Sequence, residues 1–274
     1  MSHRDEVRRH ARHVVTIRGA KPHCSGKDFR LYHGDAFHLG LRLPPQTFDA
    51  VICDPPYCSG GTTAAARQRG PQVKYCQNRD ACGRPSFDGD ERDQRSFLAW
   101  CTLWLTACRK ASITGAYCLV FSDWRQLPIV TDAVQAGGWT WRGVIPWNKG
   151  RGARAPHKGY FRHQCEYAVW GTNGRVPRPS HGGPFAGCLF ATVRQSEKHH
   201  MTGKPTELMR ELVQIVPPGG LILDPFAGSA TTGVAALLER RRFVGVEDSL
   251  AYCDIAARRL TAAQRGQTVE RRAA

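Results

Sequence analysis

The tetrad Asp54-Pro55-Pro56-Tyr57 closes the apolar run 48–53, and its residue types suit one chemistry, the capture of an aromatic amine. The Asp54 carboxylate and the Pro55 carbonyl can each accept one N–H, and Tyr57 offers a ring face on which a base can stack. Two acceptors without a donor exclude a keto group from the same place. An amine held in this way has its nitrogen lone pair drawn out of conjugation and aimed at an electrophile. Positioning and electrostatics can then drive a transfer with no covalent enzyme intermediate. Read alone, the tetrad leaves a Pro-rich turn capped by an acid as the lesser alternative.

A second run, Asp224-Pro225-Phe226-Ala227-Gly228-Ser229-Ala230-Thr231-Thr232-Gly233, passes from a strand-like segment through glycine into a helical pattern. Amides at such a helix start can approach a ligand closely. A phosphate-binding loop is the rival reading. It fails because Val234, not Lys, follows Gly233, which leaves no lysine for the phosphates.

The elements that must position these residues follow from hydrophobic periodicity. Segments 30–34, 48–53, 116–121, 139–147, 165–170, 220–224 and 242–247 read as strands, each an apolar or β-branched run. Phe97, Leu98, Trp100, Cys101, Trp104, Leu105 and Cys108 recur at three- and four-residue spacing, which predicts an amphipathic helix over 94–111. Further helices are expected over 126–136, 205–216, 228–240 and 249–260. The alternation of strand and helix predicts a largely parallel sheet covered on both faces, with ligands at the carboxyl edge of its strands. Segment 59–93, rich in Gly, Arg, Gln and Asp, lacks either period and reads as a long mobile loop.

Composition narrows the partner. The 274 residues carry 39 Lys and Arg against 23 Asp and Glu, a formal charge of +16, which favours a polyanion and above all nucleic acid. No run approaches the ~18 apolar residues of a membrane span. The basic start of the chain lacks a signal-peptide core, so a reducing, cytoplasmic setting is expected for the 11 cysteines. Cys53, Cys58, Cys76 and Cys82 form no CxxC pair, and no metal is expected.

The tetrad resembles the catalytic motif of the S-adenosylmethionine-dependent DNA amino-methyltransferases, and 224–233 is similar to the cofactor loop of that family. The motif order, catalytic first and cofactor loop last, resembles the β-type permutation. Ser59-Gly60-Gly61 and Asp93-Gln94-Arg95-Ser96 are similar to phage-type members. The resemblance implies a Rossmann-like class I methyltransferase fold: a mostly parallel, doubly wound, seven-stranded sheet with an inserted target-recognition region. It implies S-adenosyl-L-methionine as cofactor, held by Asp35, Ala36, Thr202, Lys204, Asp224, Pro225, Phe226, Gly228, Ser229, Glu247 and Asp248. Asp35 would meet the cofactor's adenine amine, although an acid there is also a common turn residue. Glu247 would accept the ribose hydroxyls, and the segment around Thr202 and Lys204 would pack over the cofactor. Ala230 stands where the family has Gly, which argues against a positive φ at that position.

The organisation expected is a basic segment over 1–28, one catalytic domain over 29–264 and a polar tail over 265–274. Target recognition would fall in 150–198, and Lys149, Arg151, Arg154, Lys158 and Arg162, at and just before its start, form a basic stretch assigned to double-stranded DNA. By resemblance, Asp rather than Ser at position 54 points to adenine N6. Cytosine N4, an RNA amine and a silent DNA-binding module stay open as alternatives. Cytosine C5 is disfavoured, because that chemistry needs a thiolate and the chain has no Pro-Cys pair. A homodimer and a companion restriction endonuclease are left open by the sequence.

Overall fold

A computed structural model describes residues 14–58, 92–151, 157–176, 181–192 and 203–266. Of the expected features, the loop over 59–91, Arg154 and Thr202 lie outside the described residues.

The strands are β1 (Cys24–Ser25), β2 (Phe29–His33), β3 (Phe48–Cys53), β4 (Ser112–Ser122), β5 (Thr140–Asn148), β6 (Cys165–Thr172), β7 (Leu189–Phe190), β8 (Leu221–Asp224) and β9 (Arg242–Glu247). They form one sheet in the order β1-β2-β9-β8-β3-β4-β6-β5-β7. The helices are α1 (Ala36–Gly40), α2 (Gln94–Ala111), α3 (Leu127–Ala136), α4 (Thr206–Val213), α5 (Thr231–Leu238) and α6 (Leu250–Gln264). Among the described residues the sheet is thus nine-stranded, not seven-stranded. The two additions, β1 and β7, are two residues each, too short to show any periodicity.

Strands β2, β9, β8, β3 and β4 run parallel, whereas β6 is antiparallel to both β4 and β5. Early β3 lies beside late β8, and the order runs outward from that pair in both directions. This is a topological switch point, where the loops leaving neighbouring strands part and open a crevice at the carboxyl edge. The tetrad after β3 and the glycine loop after β8 are therefore brought side by side by the topology itself.

Alternation along the central strands fills two cores. Val51 and Cys53 face Trp104, Leu105 and Val130 of α2 and α3 on one side. Ala50 and Ile52 face Leu208, Leu212 and Ala235 of α4 and α5 on the other. Helix α2 starts where Asp93 caps it, accepting from the Arg95 and Ser96 amides at 2.9 and 2.8 Å, and carries Arg109 and Lys110 in its last turn. The N-terminal segment is not merely a basic extension, since Val14 and Ile17 are buried in the first core and the Ile17 amide donates to the Tyr32 hydroxyl.

Candidate active site

Asp54 leaves the end of β3 with its two oxygens already engaged. Oδ1 accepts from the Tyr57 hydroxyl at 2.6 Å, and Oδ2 meets the Lys204 ammonium at 2.6 Å. Lys204 reaches on to Glu166 Oε2 at 3.3 Å, and Glu166 Oε1 pairs with Lys149 at 3.1 Å. The ammonium also lies over the rings of Tyr57 and Phe121, 5.1 and 5.0 Å from their centroids. The result is a chain of two carboxylates and two ammonium groups, neutral in sum, which is how charges persist away from water.

Burial raises the pKa of Asp54, against the opposing pull of the Lys204 charge. Burial works in the same direction at Glu166, but Lys204 and Lys149 outweigh it and hold that carboxyl below its usual range. Lys204 is kept charged: burial favours the neutral amine, yet Asp54 and Glu166 carry its pKa above the ordinary lysine value. Cys53, the neighbour of Asp54, is not a nucleophile. Burial first and the Asp224 carboxylate second push its thiol far up, so the thiolate is suppressed.

Two residues of the sequence reading make contacts that the sequence did not announce. Lys204, expected over the cofactor, directs its side chain to Asp54 and Glu166. Lys149, expected at DNA, is tied to Glu166 at the base of the β5–β6 connection. Tyr57 is also more than a stacking plate, because its hydroxyl fixes Asp54 and one ring face already carries the Lys204 cation. Glu166 went unread. Its only sequence signal is an acid near the start of an otherwise apolar strand, and its partners lie far away in the chain. It arrives through the antiparallel pairing of β4 with β6, which sets Ser122 opposite Tyr167.

Beside Asp54, the loop after β8 is held from within. Asp224 is buried and accepts from the Phe226 amide at 3.0 Å and from Thr232. Desolvation, with smaller contributions from the Asp54 and Glu247 carboxylates, pushes its pKa up to about 7 against those two hydrogen bonds. Glu247, at the end of β9, accepts from the Gly228 amide at 2.7 Å through Oε2 and from the Ser249 amide at 2.9 Å through Oε1. Each oxygen keeps a second lone pair for a hydroxyl donor. Pro225 is buried, and Phe226 packs its ring edge-on against Trp104, 5.0 Å between centroids.

The Ser229 Oγ accepts from buried Arg259 at 3.0 Å and its carbonyl oxygen accepts from the same guanidinium, which leaves the backbone amide as the part that can serve a ligand. Ala230 has φ 59 and ψ 41, so the expectation against a positive φ is overturned. The chain must reverse there: the Ala230 amide donates to Ala227 O at 2.7 Å while its own carbonyl accepts the Val234 amide at 2.9 Å. The left-handed conformation costs an L-residue about 1–2 kcal/mol, and the closed turn and buried methyl group over-determine it.

Asp35 follows β2, which pairs with β9, so it stands at the same edge as Glu247. One of its oxygens caps α1 by accepting the His38 amide at 2.8 Å, and Ala36 begins that helix. Asp248 is exposed, and its carbonyl accepts from His33 Nε2 at 3.0 Å. Arg151, Lys158 and Arg162 are exposed on the β5–β6 connection at this edge.

An acceptor tetrad and a glycine loop meeting at the switch point of a parallel sheet define a DNA amino-methyltransferase by class. A family model described as DNA methylase, for the N6 and N4 amino-methyltransferases, matches residues 48–258. The chain belongs to this N6/N4 DNA methylase family, whose enzymes depend on S-adenosylmethionine. It is 27% identical over 260 residues to the type II methyltransferase M2.DpnII of Streptococcus pneumoniae, covering 88% of this chain and 93% of that one. Among solved structures, the M1.HpyAVI–SAM complex superposes with a TM-score of 0.60 at 20% identity, covering 85% of this chain and 98% of that one. The cytosine-N4-specific PvuII methyltransferase gives 0.65 at 14% identity, covering 91% and 97%.

Proposed function

We propose that this protein methylates adenine N6 in double-stranded DNA, on a nucleotide turned out of the helix. The observation that carries the reading is the position of Asp54 and Pro55 at the end of β3, next to the glycine loop that follows Asp224 at the end of β8. The target amine would donate one N–H to Asp54 and the other to the Pro55 carbonyl, with the base against the Tyr57 face opposite Lys204. Pro55 and Pro56 lack amide hydrogens, so neither adds a donor that would attract a keto oxygen. Aspartate at position 54 favours adenine over cytosine through the likeness already described.

The residues of the crevice fit the cofactor. Glu247 would hold the ribose hydroxyls, Asp35 the adenine amine, and the amides after Gly228 the methionine portion, with Ala36, Pro225, Phe226 and Asp248 bordering it. When bound, S-adenosylmethionine supplies a methyl group on a cationic sulfur. Asp54 orients the amine lone pair toward that methyl group and accepts the N–H that must be lost as the new N–C bond forms. Its side chain is 23% exposed, so the proton can pass to water. Lys204 keeps Asp54 ionised for that task, Glu166 and Lys149 keep Lys204 in place, and the phosphates of the duplex would meet Arg151, Arg154, Lys158 and Arg162.

Asp224 gives the cofactor site a pH dependence. Because its folded pKa of about 7 lies above the unfolded value of 3.8, its share of stability is present at acid pH and is lost as pH rises through 7. A cationic ligand prefers the ionised carboxylate. Affinity for S-adenosylmethionine should therefore rise by up to about tenfold between pH 6 and pH 8, while the product, whose sulfur has lost its charge though its ammonium remains, gains less. Calorimetric titration of both ligands across this range checks it, and parallel pH profiles for the two would remove Asp224 from the binding of the charge.

The function is tested by incubating the full-length protein with mixed-sequence duplex DNA and methyl-labelled cofactor, then analysing the nucleosides. N6-methyladenosine in its deoxy form is expected. Label in N4-methylcytosine would reassign the base, label recovered only from an RNA control would reassign the polymer, and no labelled amine would overturn the reading.

A further inference from the structure

The connection between β5 and β6 projects from the catalytic edge and is closed at its base, where the Lys149 amide donates to Gln164 O at 2.8 Å. Glu166 of the active-site chain lies two residues beyond that closure. The returning arm is pinned by His163, whose ring stacks on Trp124 with centroids 5.5 Å apart and planes 14° from parallel. Trp124 belongs to the loop after β4, and the Arg125 guanidinium sits over its ring at 5.1 Å. Two residues before this anchor, Phe161 is 96% exposed, and Tyr160 beside it is 67% exposed. Lys158 and Arg162 flank the pair and are exposed as well.

Two adjacent exposed aromatic rings, flanked in sequence by two exposed cations, offer an apolar face with basic groups close in the chain. The cations make an acidic polymer the natural cover, and the ring matches the one apolar surface such a polymer can offer, the face of a base. A helix from which a nucleotide has been turned out has two such faces around an empty step. We infer that Phe161 is a wedge that enters the duplex and stacks in the gap left by the target nucleotide, with Lys158 and Arg162 on the adjoining phosphates. The Trp124–His163 stack braces the arm on the loop after β4, at the same sheet edge from which Asp54 leaves β3. This inference rests on the DNA amino-methyltransferase reading above. It differs from general DNA contact because it assigns Phe161 a role confined to opening a paired base.

The test compares the wild-type protein with Phe161→Ala and Phe161→Trp, using an oligonucleotide duplex built on a site mapped from methylated plasmid DNA. One duplex is fully paired; the other places the target base opposite an abasic position, where little pairing has to be broken. On paired DNA the alanine variant should lose about tenfold or more in kcat/KM, the scale of one lost base–aromatic stack. Most of that loss should disappear on the abasic duplex, and Trp should retain activity on both. Fluorescence of 2-aminopurine at the target position should rise with the wild-type protein and rise less with the alanine variant. Equal losses on both duplexes, or no loss on paired DNA, would overturn the wedge while leaving the methyltransferase intact. A wild-type protein that labels neither duplex would overturn both together.

Discussion

Asp54→Asn should lower kcat by about 10²–10³-fold, or about 2.7–4 kcal/mol of transition-state stabilisation, the usual result of removing one preorganised hydrogen-bond partner. Affinity for S-adenosylmethionine should stay close to that of the wild type, because Asp54 belongs to the β3 side of the crevice and the proposed cofactor contacts to β8, β9 and the start of α1. Asparagine is the informative substitution. Its carbonyl can still accept from Lys204, and its amide can donate to the Tyr57 hydroxyl, so the fold is spared the unpaired ammonium that alanine would leave. What is lost is the anionic acceptor for the incoming amine and for its departing proton. Single-turnover transfer on duplex DNA, paired with calorimetric cofactor binding, separates the two effects. Near-normal turnover would take Asp54 out of the mechanism.

Lys204→Met should be nearly as damaging at neutral pH, for a different reason. Its ammonium is shared between Asp54 at 2.6 Å and Glu166 at 3.3 Å, so its removal leaves two carboxylates close together and largely out of water. Burial and mutual repulsion then raise both pKa values, and at least one group takes up a proton near pH 7. Protonated Asp54 is a poor acceptor for the amine. Transfer should fall by at least about tenfold at pH 7, and the acid limb of the kcat profile should move up by roughly one pH unit or more. Adding Glu166→Gln to this variant removes the repelling charge and should move the limb part of the way back. A purely structural lysine would produce a loss that neither pH nor the second substitution relieves, so superimposable pH profiles would contradict the assigned role.

The parts of this site that were legible in the sequence are those written in consecutive residues. Asp54 to Tyr57 lie next to one another, as do Asp224 to Gly233, and the strand-to-helix rhythm around each was strong enough to place both at the carboxyl edge. The parallel core of the sheet followed from the same rhythm. Glu166 was hidden because its meaning depends on the pairing of β6 with β4, a register that no local window encodes. Lys204 was noticed through the resemblance, but its pairing with Asp54 beside the Tyr57 ring was not, because it joins the segment before α4 to the distant end of β3. Ala230 escaped because propensity argued against a left-handed alanine, and a closed turn prevailed over propensity. The short strands β1 and β7 owe their existence to neighbours, not to any pattern of their own.

The account depends on one geometry, an exocyclic amine held between the Asp54 carboxylate and the Pro55 carbonyl. The most direct measurement is a crystal structure of the protein with a non-reactive analogue of S-adenosylmethionine and a duplex containing its methylation site. The account predicts the target base outside the helix, with its amine nitrogen about 2.9 Å from both an Asp54 oxygen and Pro55 O, and with its ring on Tyr57. A base still stacked in the duplex, or one whose amine points away from Asp54, would contradict it.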